Sequence, residues 1–213
     1  MEIIKCKAKN GKGCDLSDVE MERINGELKA GRLIVYPTDT LYGLGANALD
    51  ETAVKHVYMV KKRPFDMPIS IAVSDMQMLE SIAILDHTSR RLAEKFMPGP
   101  ITLILTKKPN VPDIVTAASD EIGIRMPDHS FALKLIKKFG PITSTSANLH
   151  SRPDPTTVKS CMEDLGDGVS IYVDCGKTKE GHRSTIVAVH DDKIELIREG
   201  VIPIKQIEAA LHG

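Results

Sequence analysis

The sequence predicts an α/β fold, a twisted mixed sheet of about seven parallel and antiparallel strands flanked by helices. Three observations carry that expectation. Short apolar runs such as Leu33-Ile34-Val35-Tyr36 and Ile101 to Thr106 alternate with longer amphipathic stretches, the rhythm of strands joined through helices. Proline and glycine punctuate the joins, most firmly at Met97-Pro98-Gly99-Pro100. Near the C-terminus the alternation stops, and Thr185 to Val189 and Lys193 to Ile197 face each other across Asp191-Asp192, which predicts an antiparallel hairpin.

The elements follow in order. Ser17 to Ala30 reads as a helix with Val19, Ile24 and Leu28 on one side, stopped by Gly31. Leu33 to Tyr36 is a buried strand whose exit loop leads toward the next helix. Asp50 caps a helix from Glu51 to Lys62, with Ala53, Val54, Val57 and Val60 as its apolar face, and Pro64 ends it. Ile69 to Val73 is a strand. Asp75 opens a helix, and Thr88 to Phe96 forms another before the strand Ile101 to Thr106. Lys107 to Ser119 reads as a loop and Ile122 to Arg125 as a short strand. Ser130 to Phe139 is amphipathic, with Leu133 and Ile136 inward and Lys134, Lys137 and Lys138 outward. Pro141 to Thr145 is a strand, Thr156 to Leu165 a helix, and Val169 to Val173 a strand. After the hairpin, Pro203 opens a last helix that ends near Leu211.

The 213 residues, 42% hydrophobic, suffice for one sizeable core. We expect a single domain over residues 1–213, with its core at about 17–200 and a C-terminal helix at about 203–211. The 28 basic and 29 acidic residues nearly cancel, to a formal charge of −1, so the chain is not built to coat nucleic acid and any basic function is local. With four Phe, four Tyr and no Trp, it lacks the aromatic platforms of a single-strand binder. No apolar run approaches the roughly 20 residues that span a bilayer, and Met1 to Cys14 has no signal-peptide core. A cytoplasmic location and no membrane partner are therefore expected. Cys6, Cys14, Cys161 and Cys175 form no CxxC pair and no cluster with histidine, so neither disulfides nor a zinc site is expected.

The chemistry concentrates after strands. Pro37-Thr38-Asp39-Thr40-Leu41-Tyr42-Gly43-Leu44-Gly45-Ala46 packs hydroxyls, an aspartate and two glycines into one connection. Such a loop either satisfies its own amides or uses its glycines to let backbone approach a ligand. It matches neither the P-loop nor the dinucleotide fingerprint. Lys61-Lys62-Arg63 closes a helix, where cations complement the dipole or converge on a polyanion. Arg125 ends a buried strand, a place for a salt bridge or for a fork onto a carboxylate or phosphate. Ser144-Thr145-Ser146-Ala147-Asn148 is a hydroxyl-rich strand exit, read as a plain turn or a nucleotide contact. Arg198 ends the last strand, either as a surface cation or as a further ligand group. The seven histidines have no ligand-like spacing. In an open sheet, ligands bind beyond strand ends.

Six motifs together resemble the YrdC-like family, the threonylcarbamoyl-AMP synthases. They are Tyr36 to Gly45, Lys61-Lys62-Arg63-Pro64, Pro98-Gly99-Pro100-Ile101-Thr102, Ile124-Arg125-Met126-Pro127, Ser144 to Asn148 and Ser184-Thr185-Ile186, in family order over about Ile24 to Gly200. The resemblance implies a concave basic cavity in a mixed sheet. It implies that L-threonine, bicarbonate or carbon dioxide, and ATP with Mg²⁺ yield threonylcarbamoyl-AMP and pyrophosphate, a nucleotidyltransferase reaction. A downstream threonylcarbamoyl-transfer complex would then modify tRNA. Carried over by position, Lys61 and Arg63 would face the ATP phosphates as the catalytic pair. Ser146, Asn148, Thr156 and Arg198 would hold the nucleotide. Thr40, Arg125, Ser146 and Ser184 would hold L-threonine, Arg125 by its carboxylate. No protein metal ligands are implied, so magnesium would ride on ATP. The alternative is a module that binds tRNA or another double-stranded RNA by shape in the same cavity. A third reading is the carbamoyl-adenylate chemistry of hydrogenase maturation proteins.

Some family contacts have no counterpart. Met67, Ala72 and Glu121 stand where longer members carry Asn, His and Thr. The chain ends at Gly213, which resembles the short single-domain form, and a loop such as Lys177 to Arg183 would then have to cover the intermediate.

Overall fold

The structure, a computed structural model, describes residues 1–8, 14–178, 182–190 and 193–211. Its first strands are β1 (Glu2–Lys5), β2 (Lys7–Ala8) and β3 (Cys14–Asp15), followed by helix α1 (Asp18–Lys29), β4 (Ile34–Tyr36) and β5 (Gly43–Gly45). Then come α2 (Glu51–Lys61), β6 (Ser70–Ala72), α3 (Met76–Ile82), β7 (Ala83–Ile84), α4 (His87–Phe96) and β8 (Ile101–Lys107). The chain continues through α5 (Asp113–Thr116), β9 (Glu121–Arg125), α6 (Ser130–Phe139), β10 (Ile142–Ser146), α7 (Val158–Leu165) and β11 (Ile171–Asp174). It closes with β12 (Thr185–His190), β13 (Lys193–Arg198) and α8 (Ile204–Ala209).

Ten strands run in the order β1-β11-β4-β5-β10-β6-β9-β8-β12-β13, with β7 paired to β8 as the eleventh, and β2 and β3 form a separate pair. The sheet is mixed: β1 and β4 are parallel to β11, β9 to β6, and β12 to β8. The other sheet pairs are antiparallel, including β5 against both β4 and β10. The expected class therefore holds, but thirteen strands replace about seven. The additional strands are mostly two or three residues long or rich in glycine, below what a pattern of alternating apolar residues can signal.

The sheet is buried on both faces at β4. Leu33 and Val35 enter one apolar cluster and Ile34 and Tyr36 the other, which is why this strand reads as an unbroken apolar run. Helices α1 and α6 cover the face of Ile34 and Tyr36 through Ile24, Leu28, Leu135 and Ile136. On the other face lie Val54 and Val57 of α2, Leu92 of α4, Cys161 of α7 and Ile207 of α8.

Helix starts follow side-chain chemistry. Ser17 and Glu20 form a capping box: the Glu20 amide donates to Ser17 Oγ at 3.3 Å and the Ser17 amide to Glu20 Oε2 at 2.7 Å. Asp50 accepts from the amides of Thr52 and Ala53 at 2.9 and 3.3 Å.

The cysteine expectation is corrected. Cys6 and Cys175 form a disulfide, 169 residues apart in sequence. Strand β1 pairs with β11, with Lys5 opposite Asp174, and that register brings the residue after each strand side by side. The N-terminal strand was not foreseen, so nothing in the sequence reading put the two thiols together. Among the described residues no helix is long and apolar enough to cross a membrane. The Asp191-Asp192 turn of the predicted hairpin lies outside the described residues, though its strands pair as expected, His190 opposite Lys193.

Gly200 follows β13 where two backbones meet. A Cβ there would overlap the Arg183 carbonyl oxygen, the Ser184 carbonyl carbon and the Thr185 nitrogen, none of which can move like a flexible side chain. Gly200→Ala is expected to cost about 2–3 kcal/mol by overpacking, lowering Tm by about 5–10 °C. Differential scanning calorimetry checks it.

Candidate active site

A cavity of about 390 Å³ opens at strand ends of the sheet, the exits of β9, β10 and β13 and the entrances of β6, β8 and β12, within the usual range of small-molecule sites of about 300–1,000 Å³. Its wall carries five cationic side chains, Lys61, Arg63, Arg125, Arg183 and Arg198, and no carboxylate. Of the nine residues the sequence nominated, eight stand on this wall: Thr40, Lys61, Arg63, Arg125, Ser146, Asn148, Ser184 and Arg198. Thr156 does not. It follows Pro155, whose carbonyl accepts from the Tyr42 amide at 3.0 Å, and its own carbonyl accepts from the Thr178 amide at 3.1 Å.

Three hydrogen-bonded groups make the wall. In the first, Lys61 closes α2 on the same helical stripe as Val54, Val57 and Tyr58, all buried, so the helix drives an ammonium inward. Lys62 adopts a left-handed φ of 50° as the cap and turns the chain sharply. Lys61 Nζ donates to the carbonyls of Ser146 and Asn148 at 2.5 and 2.6 Å and to Asn148 Oδ1 at 3.3 Å. Ser146 Oγ donates to Asn148 Oδ1 at 2.6 Å, and Asn148 Nδ2 to the Arg152 and Pro153 carbonyls. Lys61 is 2% exposed, and its described partners are neutral. Burial, then repulsion from Arg63 and Arg183, pushes it down to about 7. Arg63 donates through Nε and Nη2 to the carbonyls of Met67 and Pro68 at 3.2 and 3.0 Å, and burial lowers its pKa.

In the second group, Arg125 ends β9 with its guanidinium buried. Nη1 donates to Thr40 Oγ1 at 2.6 Å and Nη2 to Asp39 Oδ1 at 2.5 Å. Burial raises the Asp39 pKa, and Arg125 opposes that rise. Arg125 Nε and Asp39 Oδ2 are buried with no hydrogen-bond partner. Thr38 Oγ1 accepts from the Thr40 and Leu41 amides, both at 3.2 Å, and donates to the Leu41 carbonyl at 2.6 Å, which shapes the loop under the arginine.

In the third, Arg198 Nη2 donates to the Ser184 carbonyl at 2.9 Å and to Ser184 Oγ at 3.3 Å. Ser184 Oγ shares a hydrogen bond of 2.9 Å with Thr102 Oγ1. Burial, then repulsion from Arg183, lowers the Arg198 pKa.

Gly43 lines the cavity, and both glycines also have a packing role. Gly43 and Gly45 form β5, opposite Tyr36 and Ile34. A Cβ at Gly43 would lie 2.9 Å from the Tyr36 ring, and one at Gly45 3.1 Å. The missing side chains make room for that ring, whose hydroxyl donates to the Thr143 carbonyl at 3.2 Å. Thr102, Ser144 and Arg183 also line the cavity. All three stood in or beside quoted motifs, but only the paired register of β8, β10 and β12 brings them to one wall. Of the departures from longer members, Met67 lines the cavity, while Ala72 is buried in the core and Glu121 is exposed at the start of β9. The covering loop expected over Lys177 to Arg183 includes residues 179–181, which lie outside the described residues. Among the described residues no cluster of three His, Cys, Asp or Glu side chains could hold a metal ion.

The fold and the cavity define the class: an α/β protein with a mixed sheet and a cationic cavity at its strand ends. The Sua5/YciO/YrdC family profile, described as "Telomere recombination", matches residues 27–200. The putative threonylcarbamoyl-AMP synthase of Methanocaldococcus jannaschii is 44% identical over 187 residues, 88% of this chain and 88% of that protein. The threonylcarbamoyl-AMP synthase of Pyrococcus abyssi is 39% identical over 87% of this chain but 55% of its own length. Thus the chain spans nearly all of one relative and about half of the other. The structure of P. abyssi Sua5 complexed with L-threonine superimposes with a TM-score of 0.92 at 36% identity, over 98% of this chain and 60% of that one. Escherichia coli YciO, at 23% identity and a TM-score of 0.84 over 97% of this chain and 98% of its own, shares the fold. The chain belongs to the Sua5/YciO/YrdC family.

Loading the cavity has a proton signature. An anion beside Lys61 raises its pKa from about 7. Between the free and bound values, binding therefore takes up a proton and weakens as pH rises. We expect an anionic ligand that reaches Lys61 to bind with net proton uptake above pH 7, read from calorimetry in buffers of different ionisation enthalpy. Lys61→Met removes the uptake.

Proposed function

We propose that the protein is an L-threonylcarbamoyladenylate synthase, a nucleotidyltransferase that makes threonylcarbamoyl-AMP and pyrophosphate from L-threonine, bicarbonate or carbon dioxide, and ATP. The observation that carries this reading is the convergence of eight nominated residues on one wall with five cations and no carboxylate. The names of the M. jannaschii and P. abyssi relatives support it. So does the threonine-bound P. abyssi neighbour.

The chemistry needs such a wall. The neutral threonine amine forms an N–C bond to carbon dioxide and loses a proton to give a carbamate; from bicarbonate, one C–O bond breaks and water leaves. A carbamate oxygen then attacks the α-phosphorus, and the bond from that phosphorus to the oxygen bridging toward the β-phosphate breaks, releasing pyrophosphate. Carbamate and triphosphate repel each other in water. Lys61, Arg63 and Arg198 are placed to offset the charge that moves onto the leaving group. Ser146 and Asn148 hold the nucleotide. Arg125, with Nε free of protein partners, takes the threonine carboxylate, and Thr40 and Ser184 supply hydroxyl contacts. Fixing both reactants in attack geometry is worth up to about 7–11 kcal/mol of barrier. Seclusion protects the short-lived carbamate. Magnesium accompanies the triphosphate, its ligands phosphate oxygens and water.

The product serves a downstream complex that transfers threonylcarbamoyl to tRNA, and the location is cytoplasmic. Residues 27–200, which match the family profile, are read as one domain that carries the whole reaction. Mass spectrometry of a reaction with ¹³C-bicarbonate tests the assignment. A labelled adenylate of threonylcarbamate is expected. AMP or ADP alone, or duplex RNA binding with no nucleotide turnover, would contradict it.

A further inference from the structure

Arg183 stands on the cavity wall and has no part in the chemistry assigned above. Its backbone is fixed. The Val201 amide donates to its carbonyl oxygen at 3.1 Å, and Gly200 packs against that carbonyl with no room for a side chain. Its guanidinium forks onto Asp154, with Nε 2.8 Å from each carboxylate oxygen and Nη2 2.6 Å from Oδ1. Asp154 follows Arg152 and Pro153, the two residues whose carbonyls receive the Asn148 side chain. The ion pair therefore joins the segment entering β12 to the segment leaving β10, across the region where Lys61 is anchored.

We propose that Arg183 is a polyphosphate-binding residue of this cavity and that Asp154 is its resident competitor, occupying the guanidinium fork until a phosphate group displaces it. The inference rests on the nucleotide reading above.

Four observations support it. The fork that Asp154 fills has the bidentate geometry that guanidinium offers to carboxylate and phosphate alike. The pair is only partly buried, with Arg183 47% exposed, so solvent screens it and a ligand can reach the guanidinium to compete. Arg183 lines the cavity and Asp154 does not, so a ligand inside meets the guanidinium first. Arg183 also lies near enough to Lys61 and Arg198 to lower the pKa of both, which places it with the cations assigned to the triphosphate. Arg125, tied to Thr40 and Asp39, belongs to the amino-acid group. In the free protein, Asp154 neutralises one of five crowded cations; a triphosphate brings more negative charge than that single carboxylate and takes over the site.

Isothermal titration of ATP, inorganic tripolyphosphate and L-threonine into wild type, Arg183→Gln, Asp154→Asn and the double variant tests the proposal. Both substitutions sit on a partly exposed pair and leave the core untouched. Arg183→Gln is expected to weaken ATP and tripolyphosphate by about tenfold, the loss of one charge-assisted fork. Asp154→Asn tightens both by about fivefold. The double variant matches Arg183→Gln, because Asp154 acts through the arginine. Threonine affinity stays within about twofold in all four, since no group that holds threonine changes. Unchanged polyphosphate affinity in Arg183→Gln overturns the proposal, as does a loss confined to threonine. An Asp154→Asn gain of equal size with and without Arg183 also overturns it, because a general field effect then explains the gain. Failure of the wild type to bind ATP overturns the nucleotide reading and this inference with it.

Discussion

Lys61→Ala is expected to lower kcat for pyrophosphate release by at least about a hundredfold, the usual loss when a preorganised charge donor at a developing anion is removed. The reason lies in where α2 puts the residue. A lysine on the buried stripe of a helix, bonded to neutral oxygens of Ser146 and Asn148, pays desolvation without a carboxylate to compensate. That arrangement suits a protein awaiting an anionic ligand. Arg63→Ala is expected to lose a similar factor, since Arg63 stands on the same wall. Lys61→Arg does not rescue, because a planar fork cannot reproduce three donors converging from one nitrogen. The fold survives Lys61→Ala: the lost hydrogen bonds and the relieved buried charge act in opposite directions on stability. Stopped assays of released pyrophosphate, with circular dichroism of each variant, decide the matter. Turnover within threefold of wild type removes Lys61 from the catalytic group.

Arg125→Ala is expected to raise KM for threonine by about a hundredfold or more, and KM for ATP by no more than about threefold. A buried guanidinium bonded to a carboxylate is typically worth about 2–5 kcal/mol when truncated. Its Nη1 and Nη2 are held by Thr40 and Asp39, which leaves Nε as the buried donor without a protein partner. Truncation also strands Asp39, 8% exposed, and breaking a buried pair costs about 3–5 kcal/mol of stability. The variant is therefore assayed well below its lowered Tm. If both KM values rise alike, Arg125 does not belong to the amino-acid group. If stability falls while both KM values hold, its role is structural.

Much of this site was legible because local rules and motif spacing agree. Ile24, Leu28 and the Gly31 stop announced α1, Asp50 announced α2, and the amphipathic pattern from Ser130 to Phe139 coincides with α6. Arg125, the Ser144 to Asn148 exit and the Lys61 to Arg63 turn were each ambiguous alone. Pairing of β6 with β9 and of β10 with β5 brings them to one cavity.

Other features depend on long-range register, which leaves no local mark. Gly43-Leu44-Gly45 makes a strand only because Tyr36 fills the space above its glycines. Cys6 meets Cys175 only because β1 adds to β11. The burial of Lys61 could have been read from its spacing to Val54, Val57 and Tyr58, the i, i+3, i+4, i+7 pattern of one helical face. Taking Val60 as the end of that stripe hid it. Thr156 was carried over by motif position and is not among the residues lining the cavity.

Release of pyrophosphate from ATP, followed with L-threonine and bicarbonate each omitted in turn, tests most directly whether this cationic cavity joins a triphosphate to an amino acid. Release that needs both co-substrates and vanishes in Lys61→Ala is the predicted result. Release that proceeds equally without threonine or bicarbonate, or no release under any combination, would contradict the account.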